Sequence, residues 1–280
     1  MKNRAIKNVS AVHENESQFH DVWAGSTPLH QIAVREAFES PAAVENRAIL
    51  ELMGELKGKR VLDVGAGLGE SSVYFALQGA RVTAVDLSPG MVECAVALGK
   101  IHGVAIEGIV QSGETLEVEP DSYDIVYVAN TIHHVTDKRQ LFQQIRKALK
   151  PGGRFYSFDP LAYNPVIQVY RTMATEVRTE DERPLTFNDL KLASEYFANV
   201  QHREFWILSL LLFLKYYLID RVHPNKDRYW KRIYQETPES LRWWMPLENA
   251  DRFLTRLPLI RRLAWNMVMW GEKGELNQAG

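Results

Sequence analysis

Three glycines at alternate positions, Gly65, Gly67 and Gly69, close the run Val61-Leu-Asp-Val-Gly-Ala-Gly-Leu-Gly-Glu70. A stretch that gives up so many side chains permits a tight turn and lets backbone N–H groups approach a polar ligand. Many nucleotide sites share that geometry, so the glycines alone do not choose among them. A glycine-rich turn with no ligand is the bland alternative. Two neighbours narrow the choice. A dinucleotide-binding loop would carry its third glycine where Glu70 stands. A carboxylate at a helix start repels an anionic pyrophosphate but not a ligand bearing a sulfonium and an ammonium. Asp86, ending the next apolar run, can accept hydrogen bonds from both hydroxyls of a ribose. Further on, His133 and His134 stand side by side after another apolar run, and Asp159 ends a later one. A neutral imidazole suits proton removal near neutral pH; the same pair can equally pack or orient a loop.

The elements needed to position these residues are legible from periodicity. Ile49, Leu50, Met53 and Leu56 recur at helical spacing within 43–56, and Gly58 ends the pattern. Strands are predicted at Arg60 to Val64, Arg81 to Val85, Ala105 to Val110, Asp124 to Ala129 and Arg154 to Phe158. Helices are predicted at Gly69 to Gln78, after the cap Ser88-Pro89, and at Lys138 to Leu149, with a turn at Lys150-Pro-Gly-Gly153. Thr186-Phe-Asn-Asp189 resembles a capping box for a helix at Asn188 to Phe197. A sixth strand is expected near Val200 and a last one at Leu263 to Trp270. Strands alternating with helices imply an α/β fold, a parallel sheet with helices on both faces. The aromatic-rich residues 209–262 read as a helical insertion within the domain.

Composition bounds the rest. The 280 residues have a net charge of −2, which gives no case for a nucleic-acid partner. The single cysteine, Cys94, rules out an intramolecular disulfide and falls mid-helix, as a small apolar residue rather than a nucleophile. The first residues lack the apolar core of a signal peptide, so a cytoplasmic location is expected. The longest apolar run, Phe205 to Leu214, is half of the roughly 20 residues a membrane span needs. No HExxH is present and no carboxylate cluster stands at the fourth-strand loop, so no metal is expected.

VLDVGAGLGESS, then VTAVDLSPGM, DSYDIVYVANTIHHV and LKPGGRFYSFDP, occur in the order seen in class I S-adenosylmethionine (SAM)-dependent methyltransferases of the broad small-molecule group, the type 11-like set, and the chain resembles them over 45–160. The resemblance implies a Rossmann-like seven-stranded sheet with its last strand antiparallel, and SAM as cofactor. It implies that Asp63, Gly65, Ala66, Gly67 and Gly69 line the methionine part, and that Asp86 holds the ribose. Leu87 and Met91 would lie against the adenine. Ser112 stands where relatives usually carry an acidic residue for the adenine amino group, with Gly113 and Glu114 completing that segment. Asn130 and Thr131 would sit beneath the methyl group. His133 and His134 would be the candidate bases, with Asp159 on the substrate rim.

In such proteins the segment before the core, here 1–42, often forms a lid, and Phe19, Trp23 and His30 are the candidates to close on substrate or simply cover the core. The insertion is open to three readings: packing, the wall of a lipid-like or polycyclic acceptor's pocket, or, with Arg252, Arg256, Arg261 and Arg262, a peripheral membrane contact. The expected activity is methyl transfer to a small, hydrophobic acceptor, O-methylation being slightly favoured over nitrogen or carbon. The rivals are a SAM-binding protein without catalysis and a nicotinamide-dependent oxidoreductase, which Glu70 disfavours. The sequence sets no oligomeric state.

Overall fold

The computed structural model describes residues 9–179 and 182–275, so the first eight residues of the expected lid segment lie outside the described residues. Seven strands form one sheet in the order β3-β2-β1-β4-β5-β7-β6. They are β1 (Arg60–Val64), β2 (Arg81–Asp86), β3 (Ile106–Val110), β4 (Tyr123–Ala129), β5 (Leu149–Pro160), β6 (Ala198–Phe205) and β7 (Asn266–Glu272). The first five pair in parallel, whereas β7 runs antiparallel to both β5 and β6. The order reverses beside β1, so the carboxyl ends of β1 and β4 flank the crevice where open α/β sheets bind ligands.

The helices are α1 (Val9–Ser26), α2 (Glu36–Glu39), α3 (Val44–Met53), α4 (Glu70–Leu77), α5 (Pro89–Ile101) and α6 (Lys138–Ala148). After β5 come α7 (Pro165–Met173) and α8 (Phe187–Ser194), and between β6 and β7 come α9 (Leu211–Leu218), α10 (Tyr229–Arg232) and α11 (Met245–Leu254). The local signals explain the starts. Ser88 Oγ accepts the Met91 N–H at 3.1 Å with Pro89 at the first helical position. The Asp189 carboxylate accepts the Thr186 N–H at 2.6 Å, so the box opens α8.

Two apolar clusters, one on each face, clamp the sheet. Val61, Val82 and Tyr127 belong to the same cluster as Trp206, Phe213, Tyr216, Tyr229 and Trp244, so the expected insertion shares the core of the sheet. Its largest rings pack edge-on or tilted, as between Phe213 and Trp265 at 4.9 Å.

Helices α3 and α8 each end three residues before the expected position, and two differences bear on the sheet. The Lys150–Gly153 turn is a bulge inside β5, because Tyr123 pairs with Leu149 while Ile125 pairs with Arg154. The last strand starts three residues later than apolarity suggests: Leu263 is 45% exposed at the end of a short 3-10 turn, and Gly271 lies within the strand. Among the described residues no helix is long and apolar enough to cross a membrane.

Candidate active site

The chain leaves β1 through Gly65, whose φ is +73°, where an added Cβ would stand 2.0 Å from Thr131 Oγ1. Gly69 opens α4 at φ +91°, and a Cβ there would stand 2.5 Å from Ala95 Cα. Neither position accepts a side chain without moving backbone or a neighbour, which holds the loop against β4 and α5. Asp63 is buried beneath the loop and accepts the Ser71 and Ser72 hydroxyls at 2.6 and 2.7 Å. Burial pushes its carboxyl up to about 6, against those two hydrogen bonds. Asp63 fixes the start of α4 to β1 and does not line the crevice.

Asp86 accepts the Gly67 N–H and the Ser88 N–H, each at 2.9 Å, and so links the glycine loop to the next one. The crevice wall passes from Gly65, Ala66 and Gly67 to Asp86 and Leu87, then to Ser112, Gly113 and Glu114, and on to Asn130 and Thr131. Gly69 and Met91 lie outside that wall. Met91 is fully buried in the apolar cluster on one face of the sheet. Ser112 Oγ accepts the Glu114 N–H at 3.2 Å, and Glu114 accepts the Asp137 N–H at 2.5 Å. Glu70 lines the crevice with its charge answered by Lys231 at 2.6 Å, so it does not stand there as a free anion.

His133 Nδ1 stands 2.7 Å from Asp159 Oδ1, which also accepts the His133 backbone N–H at 3.1 Å. Asp159 is wholly buried and does not reach the crevice, which corrects its expected place on the substrate rim: it orients His133. Burial pushes the Asp159 carboxyl up to about 8 and holds His133 well below the usual imidazole range. His134 lies beside it with ring centroids 4.1 Å apart, and its Nδ1 faces Glu16 at 3.2 Å. Burial would lower the His134 pKa, but Glu16 reverses the effect and raises it. Glu16 itself is held well below the usual carboxylate range: its burial would raise it, and His134 and His20 more than offset that.

Above the histidines the crevice is largely apolar, walled by Phe158, Ile167, Tyr170, Val177 and Trp265. Trp230 and Tyr234 come from the insertion, and Phe19 and Trp23 from α1. His30 is exposed in a 3-10 turn and takes no part in the wall. Cys94 is half-buried, and burial pushes its thiol up, as expected of an inert residue.

The profile of the methyltransferase domain family matches residues 62–157. The match assigns a methyltransferase domain to that segment of the chain. A ubiquinone biosynthesis O-methyltransferase of Xanthomonas euvesicatoria is 42% identical over 103 residues, 36% of this chain and 43% of the relative. Its counterpart in Pseudomonas savastanoi is 32% identical over 126 residues, 43% of this chain and 52% of the relative. The chain thus spans about half the length of the curated relatives it matches, or less. The fold of the methyltransferase domain also matches the YcgJ protein of Bacillus subtilis, with a TM-score of 0.55 at 19% identity, covering 81% of this chain and 97% of that one. A phosphoethanolamine N-methyltransferase 2 of Haemonchus contortus gives a TM-score of 0.58 at 18% identity, covering 93% of this chain and 58% of that one.

The sequence did not point to several residues that the fold brings to the crevice or its mouth. Glu182 is held by Arg171 at 3.1 Å and by Arg178 on the far wall. Asp21 accepts the Ser88 hydroxyl at 2.5 Å and the Gly90 N–H at 2.9 Å, and His13 meets Glu114 at 2.6 Å, so α1 lies across the mouth. A signal for α1 was present: His13, Glu16, His20 and Trp23 recur every three or four residues and share one helix face.

Proposed function

We propose that the chain transfers the methyl group of SAM to a hydroxyl oxygen of a small, largely apolar acceptor. The supporting observation is that the glycine loop, Asp86 and His133 line one crevice together with aromatic side chains, while the buried Asp159 holds the His133 ring from behind. In this reading Gly65, Ala66, Gly67 and Asn130 border the methionine and sulfonium, and Asp86 takes the ribose hydroxyls. Leu87, Ser112 and Gly113 border the adenine, while Asp63, Gly69 and Met91 shape the cradle from behind. His133 Nε2 receives the acceptor's proton. The carbon is already activated by its sulfonium, so the protein's main task is to align oxygen, carbon and sulfur. Oxygen as the acceptor atom accords with the relatives named as O-methyltransferases. Purified protein supplied with SAM and a panel of phenols and quinols bearing apolar chains is expected to yield products heavier by one methylene, read by mass spectrometry. SAM binding without methylation of any phenol, amine or carbon acid would favour the non-catalytic rival.

An acceptor carried in a bilayer fits the outer face of the insertion. Leu211, Leu214, Leu218 and Ile219 are exposed on and after α9, and Phe253, Leu257 and Leu259 on and after α11. The two segments meet where Asp251 accepts the Ile207, Leu208 and Ser209 N–H groups at 2.7 to 3.0 Å. Arg252 and Arg256 flank the second apolar set, while Arg261 and Arg262 lie over the Phe187 ring at 5.5 and 5.8 Å. Apolar side chains beside arginines suit an anionic interface. Sedimentation with phosphatidylglycerol vesicles is expected at low salt and should weaken between about 0.05 and 0.5 M salt as screening grows. No sedimentation at low salt would leave α9 and α11 to packing alone, since neither lines the crevice.

A further inference from the structure

We propose that Glu16, His20 and His134 bind a divalent transition-metal ion, zinc foremost, between α1 and the loop after β4. The three donor atoms lie within 4.8 Å of one another. Glu16 Oε2 stands 3.2 Å from His134 Nδ1 and 3.5 Å from His20 Nε2. Other histidine–carboxylate pairs of this chain close to ordinary hydrogen-bond length: 2.7 Å for His133 and Asp159, 2.6 Å for His13 and Glu114. The Glu16 spacing is that of ligands around a shared centre, since four donors at ~2.0–2.1 Å from zinc stand ~3.3–3.4 Å from each other.

A second observation concerns the burial and hydrogen bonding of Glu16. Glu16 is only 6% exposed, and neither of its carboxylate oxygens has a well-formed hydrogen bond. A buried carboxylate without full partners is costly, and a cation among the three side chains removes that cost. Two imidazoles and one carboxylate suit zinc and its transition-metal neighbours better than magnesium or calcium, which prefer all-oxygen shells. Glu16 and His20 are one turn apart on α1, so the helix presents both donors on one face. The alternative set His133, His134 and Glu182 is the weaker candidate, because Arg171 and Arg178 already engage Glu182.

Three protein ligands leave a fourth position open, as in catalytic zinc sites. Glu16, His20 and His134 all line the crevice, so that position faces the acceptor. The consequence for chemistry rests on the methyl-transfer reading above. An ion held by Glu16, His20 and His134 would make an acceptor hydroxyl more acidic, and His133 Nε2 would take its proton. The oxygen lone pair forms the bond to the methyl carbon while the carbon–sulfur pair returns to sulfur, leaving S-adenosylhomocysteine. Sequence motifs do not announce such a site, because His134 lies far along the chain from Glu16 and His20.

The test is a zinc titration of the chelator-stripped full chain against a chromophoric competitor. Wild type is expected to bind about one equivalent with a sub-micromolar Kd. Glu16→Gln, His20→Ala and His134→Ala should each lose that binding, and His13→Ala should keep it. Each variant's metal-free unfolding transition shows that it is folded. No binding by wild type at about ten micromolar zinc, or equal binding by folded Glu16→Gln and His20→Ala, overturns the proposal. Stoichiometric zinc without methyl transfer would uphold the site and count only against the activity.

Discussion

Replacing Asp86 with alanine is expected to weaken binding of SAM and of S-adenosylhomocysteine alike by at least about a hundredfold. The carboxylate accepts the Gly67 and Ser88 N–H groups at 2.9 Å each, so it stands at the junction of the two loops that would border the cofactor. In the proposed bound state it would also accept from the ribose. Hydrogen bonds to a charged group contribute about 1.5–3 kcal/mol each, and two of them lost from the complex amount to about 3 kcal/mol or more. That corresponds to a factor of about 10² in Kd. The loosened Gly67 turn adds to the loss. Calorimetry of both ligands measures it directly. An unchanged Kd would remove Asp86 from the cofactor site and, with it, the placement of the adenosine.

His133→Ala should act on the other quantity. Turnover is expected to fall by about 10²–10⁴-fold, the usual worth of a general base, while the SAM Kd stays within about threefold. The pH profile of the wild type should carry the same signature. Below the pH at which Asp159 titrates, about 8, one proton is shared between His133 Nδ1 and the carboxyl, and the pair is neutral with Nε2 protonated. Losing that proton leaves Nδ1–H facing the carboxylate and a lone pair on Nε2. Turnover should therefore rise with pH up to about 8 and then level off, and His133→Ala should lack that rise. Wild-type turnover that is flat from about pH 6 to 9.5, or a variant as fast as the parent, would assign the proton to another group.

What the sequence made legible was local. Gly65, Gly67 and Gly69 mark the loop after β1, Ser88-Pro89 starts α5, and Thr186 with Asp189 starts α8, because each of these is decided within a few residues. The strand ends at Val64 and Asp86 followed from the apolar runs before them. The failures are tertiary. Asp159 ends an apolar run and so looked like a rim residue, but its partner His133 turns it inward. Met91 is drawn into the core by packing that no neighbour in sequence announces. Leu263 has the type of a strand residue and the exposure of a turn. The cluster of Glu16, His20 and His134 exists only because α1 folds back across the sheet's open end.

That crossing has a kinetic corollary. The contacts of Asp21 with Ser88 and Gly90, and of His13 with Glu114, fasten the helix to the same loops that would grip adenosine. Spent cofactor then departs only after the helix detaches, and its successor enters through the same gap. Under that arrangement release of the by-product would slow the cycle, and an initial burst of product ahead of slower turnover is the expected sign in rapid-mixing kinetics.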